Sequence, residues 1–246
     1  MINTYRFSKA ILILLMMITI IIGCKKKTTV KEKTPNETST ITDVEGNVYK
    51  TVKIGNKWWM AENLKVKVYN DSTPISEVKA TDNDTVWANK KIGAFCKVEE
   101  TSMRYGLFYN WYAISNSKKI APIGWHIPTD EEWKELEIEL GMNEAEANRT
   151  AWRGENERDK IIEKNSNAWS NVLEMPVGNN ESGFTALTSG CRLFNGSIGD
   201  SQTAFWWTAT LNGEEVWYRN IAANHTDIFR YYTYKTYGFS VRCVKD

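Results

Sequence analysis

Residues 122–141 read PIGWHIPTDEEWKELEIELG and predict a helix that fixes the class of the fold. Thr129 and Glu132 have the spacing of a capping box, in which each side chain accepts a hydrogen bond from the other residue's backbone N–H. Apolar side chains then recur at helical spacing, at Trp133, Leu136 and Leu140. Gly141 supplies the C-terminal stop. We therefore predict an amphipathic helix over Asp130 to Leu140.

Short β-runs lie on both sides of this helix. Upstream, Val48 to Ile54 alternates and a turn at Gly55-Asn56 leads to Trp58-Trp59-Met60, so a β-hairpin opens the domain. Downstream, runs separated by Gly, Asn and Asp predict four meander strands, over Thr203 to Leu211, Val216 to Ala222, Ile228 to Tyr234 and Phe239 to Val244.

A second, weaker helix is predicted in the polar stretch after Gly141, near Asn143 to Trp152 or Arg158 to Asn165. Hairpin, helix, polar region and late meander follow one another without a regular βαβ alternation. This order predicts an α+β fold with a twisted antiparallel sheet, one or two helices and long irregular loops.

The N-terminal segment predicts export and lipid anchoring. Arg6 and Lys9 precede an apolar run over Ile11 to Ile22, which is too short for a membrane span of about 20 residues and is typical of a signal peptide. The run closes with Ile21-Ile22-Gly23-Cys24, which resembles the lipobox of bacterial lipoproteins. That resemblance implies a signal peptide over residues 1–23 and a lipidated Cys24. The alternative is an ordinary signal peptide with an incidental cysteine.

Residues 24–40 are rich in Lys, Thr, Glu, Ser and Asn, which cannot bury apolar area, so a disordered tether is predicted there. The remaining residues 41–246 suit one domain with a sizeable core. We expect a lipid-anchored protein of the bacterial cell envelope, at the outer membrane. Lysines rather than acidic residues follow Cys24, which favours the periplasmic side over the cell surface.

Composition excludes one class of partner. Without the signal peptide, 29 basic residues face 30 acidic ones, and nucleic-acid binding needs a strongly basic surface. No nucleic-acid partner is therefore expected.

All 11 tryptophans lie between Trp58 and Trp217, and such a density indicates either a tightly packed core or an aromatic ligand surface.

Five segments carry a recognisable pattern and together span nearly all of residues 41–246. They read VKIGNKWWMAENL at 52–64, YGLFYNWYA at 105–113, APIGWHIPTDEEW at 121–133, FWWTAT at 205–210 and YGFSVRCV at 237–244. In order and spacing these segments resemble the Fibrobacter succinogenes major paralogous domain family. The resemblance implies a C-type-lectin-like fold, in the branch shared with formylglycine-generating and sulfatase-modifying enzymes, with N- and C-terminal strands paired.

The chain lacks the sequence pattern of the catalytic groups that sulfatase-modifying enzymes use. The sulfatase-modifying oxidases hold copper with two nearby cysteines in the C-terminal half, whereas Cys191 and Cys243 are far apart in sequence. His126 and His225 are the two histidines, and neither belongs to a set with metal-ligand spacing. His126 is expected to be packed and hydrogen-bonded. We predict no catalytic residue, no metal and no cofactor, and an enzyme of the sulfatase-modifying type is the second reading.

Three cysteines remain in the predicted head, and an oxidising export route permits one disulfide. The family resemblance implies a bond between Cys96 and Cys243. The sequence also allows pairing with Cys191, or three buried thiols.

Binding is the function that the late strands favour. Trp217, Tyr218, Arg219, Tyr231 and Tyr232 are candidate ligand-binding residues, because flat rings stack on sugar rings and Arg supplies fixed donors. Alternation places Trp217 and Arg219 on one face of their strand and Tyr218 on the other. The alternative is that these rings pack on one another across the sheet. We predict a non-catalytic binding or adhesion module with a glycan or protein ligand; a structural subunit of a surface assembly is a third reading.

Overall fold

The predicted helix is present and begins where the capping box places it. Thr129 Oγ1 accepts from the Glu132 N–H at 3.1 Å, and Glu132 Oε2 accepts from the Thr129 N–H at 2.9 Å. The helix runs over Asp130–Glu139 and ends at the cap residue Leu140. Gly141 follows with φ +111°, a conformation that residues with a Cβ rarely adopt. The capping box and the glycine stop are both confirmed.

A computed structural model describes residues 35–97, 103–169, 178–199 and 202–246. Asn36–Asp246 form one compact unit. The predicted signal peptide, Cys24 and most of the predicted tether lie outside the described residues. The end of the tether prediction is wrong, because Thr38–Thr42 form a strand that pairs with residues 48–52. In the described part of the chain, no helix has the length and apolar character needed to cross a membrane.

The helices are short apart from the one that carries the capping box. They are α1 Asp84–Ala88, α2 Trp111–Ile114, α3 Asp130–Glu139, α4 Glu144–Ala147 and α5 Glu157–Ile161, with a 3-10 turn over Asn167–Trp169. The weaker predicted helix is thus resolved into α4 and α5, each about one turn long. Trp152 lies on a strand between them.

Thirteen strands make up most of the regular structure in the described residues. They are β1 Thr38–Thr42, β2 Val48–Ile54, β3 Lys57–Met60, β4 Ser76–Glu77, β5 Ala94–Lys97, β6 Leu107–Asn110, β7 Trp125–His126, β8 Ala151–Arg153, β9 Thr203–Asn212, β10 Glu215–Ala222, β11 Ile228–Thr233, β12 Gly238–Phe239 and β13 Val244–Lys245. The predicted hairpin is β2–β3, and three of the four late strands are β9, β10 and β11.

The strands form three sheets. Their orders are β1-β2-β3-β13-β7, β8-β11-β10-β9 and β12-β6-β5-β4, and of the strand pairs only β4–β5 is parallel. Across the described ranges, five helices lie among largely antiparallel strands without a repeated βαβ unit, which agrees with the predicted α+β class, although three sheets replace the single predicted sheet and five helices the predicted one or two. β13 lies between β3 and β7, with Val244 opposite both Trp59 and His126.

The prediction of one continuous strand over Phe239 to Val244 is wrong. Its ends belong to two sheets, because β12 pairs with β6 and β13 pairs with β3 and β7. The residues between cross from one sheet to the other. Along this crossing, Val241 O accepts from the Leu64 N–H and Cys243 O accepts from the Met60 N–H, each at 2.9 Å.

Four aromatic rings pack between α3 and the sheets. Trp133 lies 5.2 Å from Trp59, 5.7 Å from Phe184 and 5.9 Å from Trp206, measured between ring centroids. All four side chains are 0–1 % exposed. Trp87, Trp125, Trp169 and Trp207 are buried as well, so seven of the eleven tryptophans serve core packing.

Asn63 connects this aromatic cluster to the C-terminal crossing. Its Oδ1 accepts from Trp206 Nε1 at 3.1 Å and from Arg242 Nε at 2.9 Å, and its Nδ2 donates to Tyr105 O at 2.9 Å. Ser240 Oγ accepts from the same Nδ2 at 3.3 Å. The amide thus uses all of its hydrogen-bonding capacity inside the core. Each of its four bonding partners comes from a segment that carries the family resemblance.

The cysteines do not form the predicted disulfide between Cys96 and Cys243, and all three in the described head are buried. Cys96 Sγ lies 3.0 Å from Arg192 Nη1 and packs with Trp87 and Phe108, whereas Cys243 packs in the main core cluster. Burial raises the pKa of the Cys243 thiol, which disfavours a thiolate at this position.

Candidate functional site

A buried ionic network lies between α3 and the β8-β11-β10-β9 sheet. Glu137 Oε1 accepts from Arg219 Nε at 2.6 Å, and its other oxygen accepts from Arg153 Nη2. Asp130 accepts from Arg219 Nη1 and from Arg230 Nη2, both at 2.7 Å. Three arginines and two carboxylates are therefore held in fixed positions directly under the strands that carry the predicted ligand residues.

The arginines keep Asp130 ionised. Burial opposes the charge on this carboxylate, but the hydrogen bonds and charges of Arg230 and Arg219 outweigh it and lower the pKa of Asp130 to about 2. The two carboxylates act as fixed counter-charges, so the network stabilises the arrangement of helix and sheet rather than offering a group for proton transfer.

Arg219 does not lie on a ligand surface, and its predicted binding role is wrong. Its side chain is 0 % exposed because α3 covers this face of β10 and supplies Asp130 and Glu137 as its ion-pair partners. Trp217, on the same face but nearer the strand end, stays half-buried. The guanidinium that lies over its ring, 3.9 Å from the centroid, belongs to Arg230.

The other predicted aromatics divide between core and surface. Tyr218 is half-buried against Phe205 and Phe239, with ring centroids at 6.1 and 5.2 Å, and burial raises its pKa. Tyr231 is 38 % exposed and stacks on Tyr232 at 4.4 Å. Of the five predicted residues, Trp217, Tyr231 and Tyr232 therefore remain candidates for ligand contact.

These three rings belong to a longer series of ring contacts, which we call the aromatic row. From one end to the other it consists of His225, Trp152, Phe229, Tyr231, Tyr232 and Trp217. Successive centroids are 3.5, 5.0, 5.9, 4.4 and 5.3 Å apart. None of the six side chains is fully buried. By strand alternation, Trp152, Phe229 and Tyr231 lie on one face of the sheet, whereas Tyr232 and Trp217 lie on the face of Arg219, so the row passes from one face to the other at the stacked pair Tyr231–Tyr232.

Local structure explains how the row forms. Trp152 on β8 lies opposite Phe229 on β11, and Tyr232 on β11 lies opposite Trp217 on β10, so three neighbouring strands bring the rings together. His225 lies parallel to Trp152, at 4°, and its Nδ1 is 3.1 Å from Asp227 Oδ1. The row thus ends in a polar imidazole that a carboxylate orients.

Sequence reasoning missed three members of the row. Phe229 lies inside a predicted strand, and its alternation with Tyr231 was a usable signal. Trp152 belongs to the polar stretch whose structure the sequence left open, and His225 lies in a turn. Nothing in the local sequence predicts that these two rings stack.

His126 is hydrogen-bonded, as predicted, and lies between two carboxylates. Its Nδ1 is 2.5 Å from Asp246 Oδ1, and its Nε2 is 3.0 Å from both oxygens of Glu132. Lys57 Nζ reaches Glu132 Oε1 at 3.1 Å. Burial opposes ionisation of Glu132, but hydrogen bonds from Thr129, Lys57 and His126 outweigh it and lower its pKa. Within the ranges that the structure describes, no cluster of three His, Cys, Asp or Glu side chains has the arrangement of a metal site.

The family comparison agrees with the segments that carry the resemblance. The profile of the Fibrobacter succinogenes major domain matches residues 52–245, which include the last three residues of β2 and all of β3 to β13. No curated protein and no solved structure matches the chain. Because the match covers well over half of the chain, this protein belongs to the Fibrobacter succinogenes major domain family.

Proposed function

We propose that this protein is a lipid-anchored binding or adhesion module of the bacterial cell envelope, without catalytic activity, and that the aromatic row takes its ligand. The observation that supports this most is that Trp152, Phe229 and Tyr231 adjoin one another, partly exposed, on one face of strands whose other face is fixed by buried ion pairs. Flat rings at the surface are suited to the apolar faces of sugar rings, so a glycan is the ligand that we favour.

The proposal also covers the C-type-lectin-like fold of the domain and its attachment to the membrane through a lipid. Pairing of β13 with β3 joins the two ends of the domain, as a C-type-lectin-like fold requires. The segment Ile21-Ile22-Gly23-Cys24 supplies the lipidation site, with the periplasmic face of the outer membrane as the location. Several acyl chains on one residue would make such anchoring stable.

Mass spectrometry of the protein isolated from a bacterial membrane fraction tests the anchor. We expect a mature chain that begins at Cys24 and carries a mass increase equal to its acyl groups. A Cys24→Ala variant is expected to accumulate uncleaved. A mature N-terminus at another residue, or an unmodified Cys24, would contradict the proposal.

Retention of the full chain on immobilised cell-wall fragments and glycans tests the aromatic row. Trp152→Ala is expected to weaken saturable binding by about tenfold or more, because a central aromatic contact is often worth about 2 kcal/mol. Tyr231→Ala should weaken it in the same direction. Tyr234→Ala is the matched control, since Tyr234 is 59 % exposed but contacts Phe194 rather than the row.

The outcomes separate the alternatives. Binding that Trp152→Ala and Tyr234→Ala weaken equally would place the ligand elsewhere. Retention of no glycan, together with capture of a protein that Trp152→Ala abolishes, would assign the row to a protein ligand instead. Turnover of a bound molecule would contradict a non-catalytic module.

A further inference from the structure

A cavity lies on elements that do not contribute to the aromatic row. It has a volume of about 440 Å³ and lies between the segment after β3, Met103-Arg104, Glu163 and residues 185–187. Ala61, Met103 and Leu187 give it an apolar wall. The volume falls within the range of small-molecule sites, which is about 300–1,000 Å³.

Charged side chains surround the mouth of this cavity. Lys50, Lys65 and Arg104 provide three cations, and Glu62 and Glu163 provide two carboxylates. Arg104 Nη2 lies 2.5 and 2.6 Å from the two oxygens of Glu163, so this pair is neutralised internally. Among the described residues that line the cavity, Lys50 and Lys65 are then accompanied by one further carboxylate, that of Glu62.

A buried cation behind the cavity adds to this positive excess. Arg242 is 0 % exposed and donates to Asn63 Oδ1 and to the carbonyls of Met60, Phe184 and Thr185. All four acceptors are neutral. Burial lowers the pKa of Arg242 to about 9, and the charge of Glu62 opposes that shift. Lys50, Lys65 and Arg242 thus outnumber Glu62, so the described surroundings of the cavity carry an excess of positive charge for a ligand.

The backbone at the cavity wall is strained. Thr185 has φ +58°, which is a genuine outlier for a β-branched residue. The conformation is held by Asn180 Oδ1, which accepts from the Thr185 N–H at 2.9 Å, and by Arg242 Nη2, which donates to Thr185 O at 2.8 Å. Strain that the surroundings maintain in this way is concentrated at ligand-binding positions in proteins.

We propose that this cavity binds a small acidic saccharide, a polyhydroxylated molecule with one carboxylate. Lys50 and Lys65 bind the carboxylate, Glu62 and Glu163 accept hydrogen bonds from hydroxyl groups, and the apolar wall contacts the C–H face of the ring. This site is independent of the aromatic row, because the two share no residue. A result against one leaves the other unaffected.

Isothermal titration calorimetry on the full chain tests the proposal with three matched probes. Sodium glucuronate carries both the ring and the carboxylate, glucose carries only the ring, and sodium acetate carries only the carboxylate. We expect saturable heat from glucuronate alone at equal concentration. Lys65→Gln should weaken glucuronate binding by about tenfold, since one charged hydrogen bond is worth about 1.5–3 kcal/mol.

Lys67→Gln is the matched control, because Lys67 is exposed, lies two residues away and is outside the cavity lining. It should bind glucuronate as the unaltered protein does. Lys65 Nζ lies 5.4 Å from the centroid of the Tyr49 ring, so loss of the fold is checked by circular dichroism, and Lys50→Gln serves in its place if Lys65→Gln unfolds. Equal heats from acetate and glucuronate, no saturation, or equal binding by the Lys65 and Lys67 variants would each overturn the proposal.

Discussion

Glu137→Ala is expected to lower the free energy of unfolding by about 3–5 kcal/mol, one of the two largest effects that we predict. In the described ranges, no other acidic group is hydrogen-bonded to Arg153, and the Glu137 carboxylate shares Arg219 with Asp130. Its removal leaves three buried guanidinium groups with one carboxylate. Because solvent does not reach Arg153 or Arg219, water cannot replace the lost counter-charge.

Urea unfolding followed by tryptophan fluorescence measures this effect. Glu139→Ala is the matched control, since Glu139 lies two residues further along α3 and is exposed. A surface change of this kind should stay within about 0.5 kcal/mol. A loss of less than about 1 kcal/mol for Glu137→Ala would contradict the prediction and indicate that the arginines rearrange toward other acceptors.

Asn63→Ala is expected to lower the free energy of unfolding by a similar amount, about 3–5 kcal/mol. The substitution leaves Trp206 Nε1 and Arg242 Nε without their acceptor in the core, and each buried unsatisfied group costs about 1–3 kcal/mol, with the charged group at the upper end. It also removes the donor to Tyr105 O. One small side chain therefore has an effect comparable to deletion of a large core ring.

The same urea measurement separates this effect from that of an ordinary asparagine. Asn89→Ala is a suitable comparison, because exposed Asn89 donates a single side-chain hydrogen bond to Thr85 O, at 3.0 Å. We expect Asn89→Ala to change the free energy of unfolding by no more than about 0.5–1 kcal/mol. Equal losses in the free energy of unfolding for the two variants would contradict the central role that we assign to the Asn63 hydrogen bonds.

Local chemistry explains what the sequence predicted correctly. The capping box at Thr129 and Glu132, the stop at Gly141 and the hairpin turn at Gly55-Asn56 each depend on residues within one or two turns of chain. The alternation of β9, β10 and β11 is also a local property. These elements, and the α+β class that follows from their order, could therefore be predicted from the sequence.

Long-range contacts explain what could not be predicted. Alternation assigns Arg219 to one face of β10, but it does not reveal that α3, some 80 residues earlier, covers that face. In the same way, no local pattern divides residues 239–244 between two sheets, or brings Trp152 against His225. Sequence therefore predicted Trp217, Tyr231 and Tyr232 of the candidate site. It did not predict Trp152 and His225, because their places depend on contacts between distant segments.

The position of β13 also bears on how the molecule reaches its native state. This strand lies inside its sheet, between β3 and β7, so the N-terminal hairpin is joined to β7 only when residues from the end of the domain arrive. Sheets closed by residues distant in sequence fold slowly, because the entropy of a large loop is lost before the contacts form. The export that we propose for this chain would gain from such delayed closure, because an unfolded chain can still pass through a narrow membrane channel.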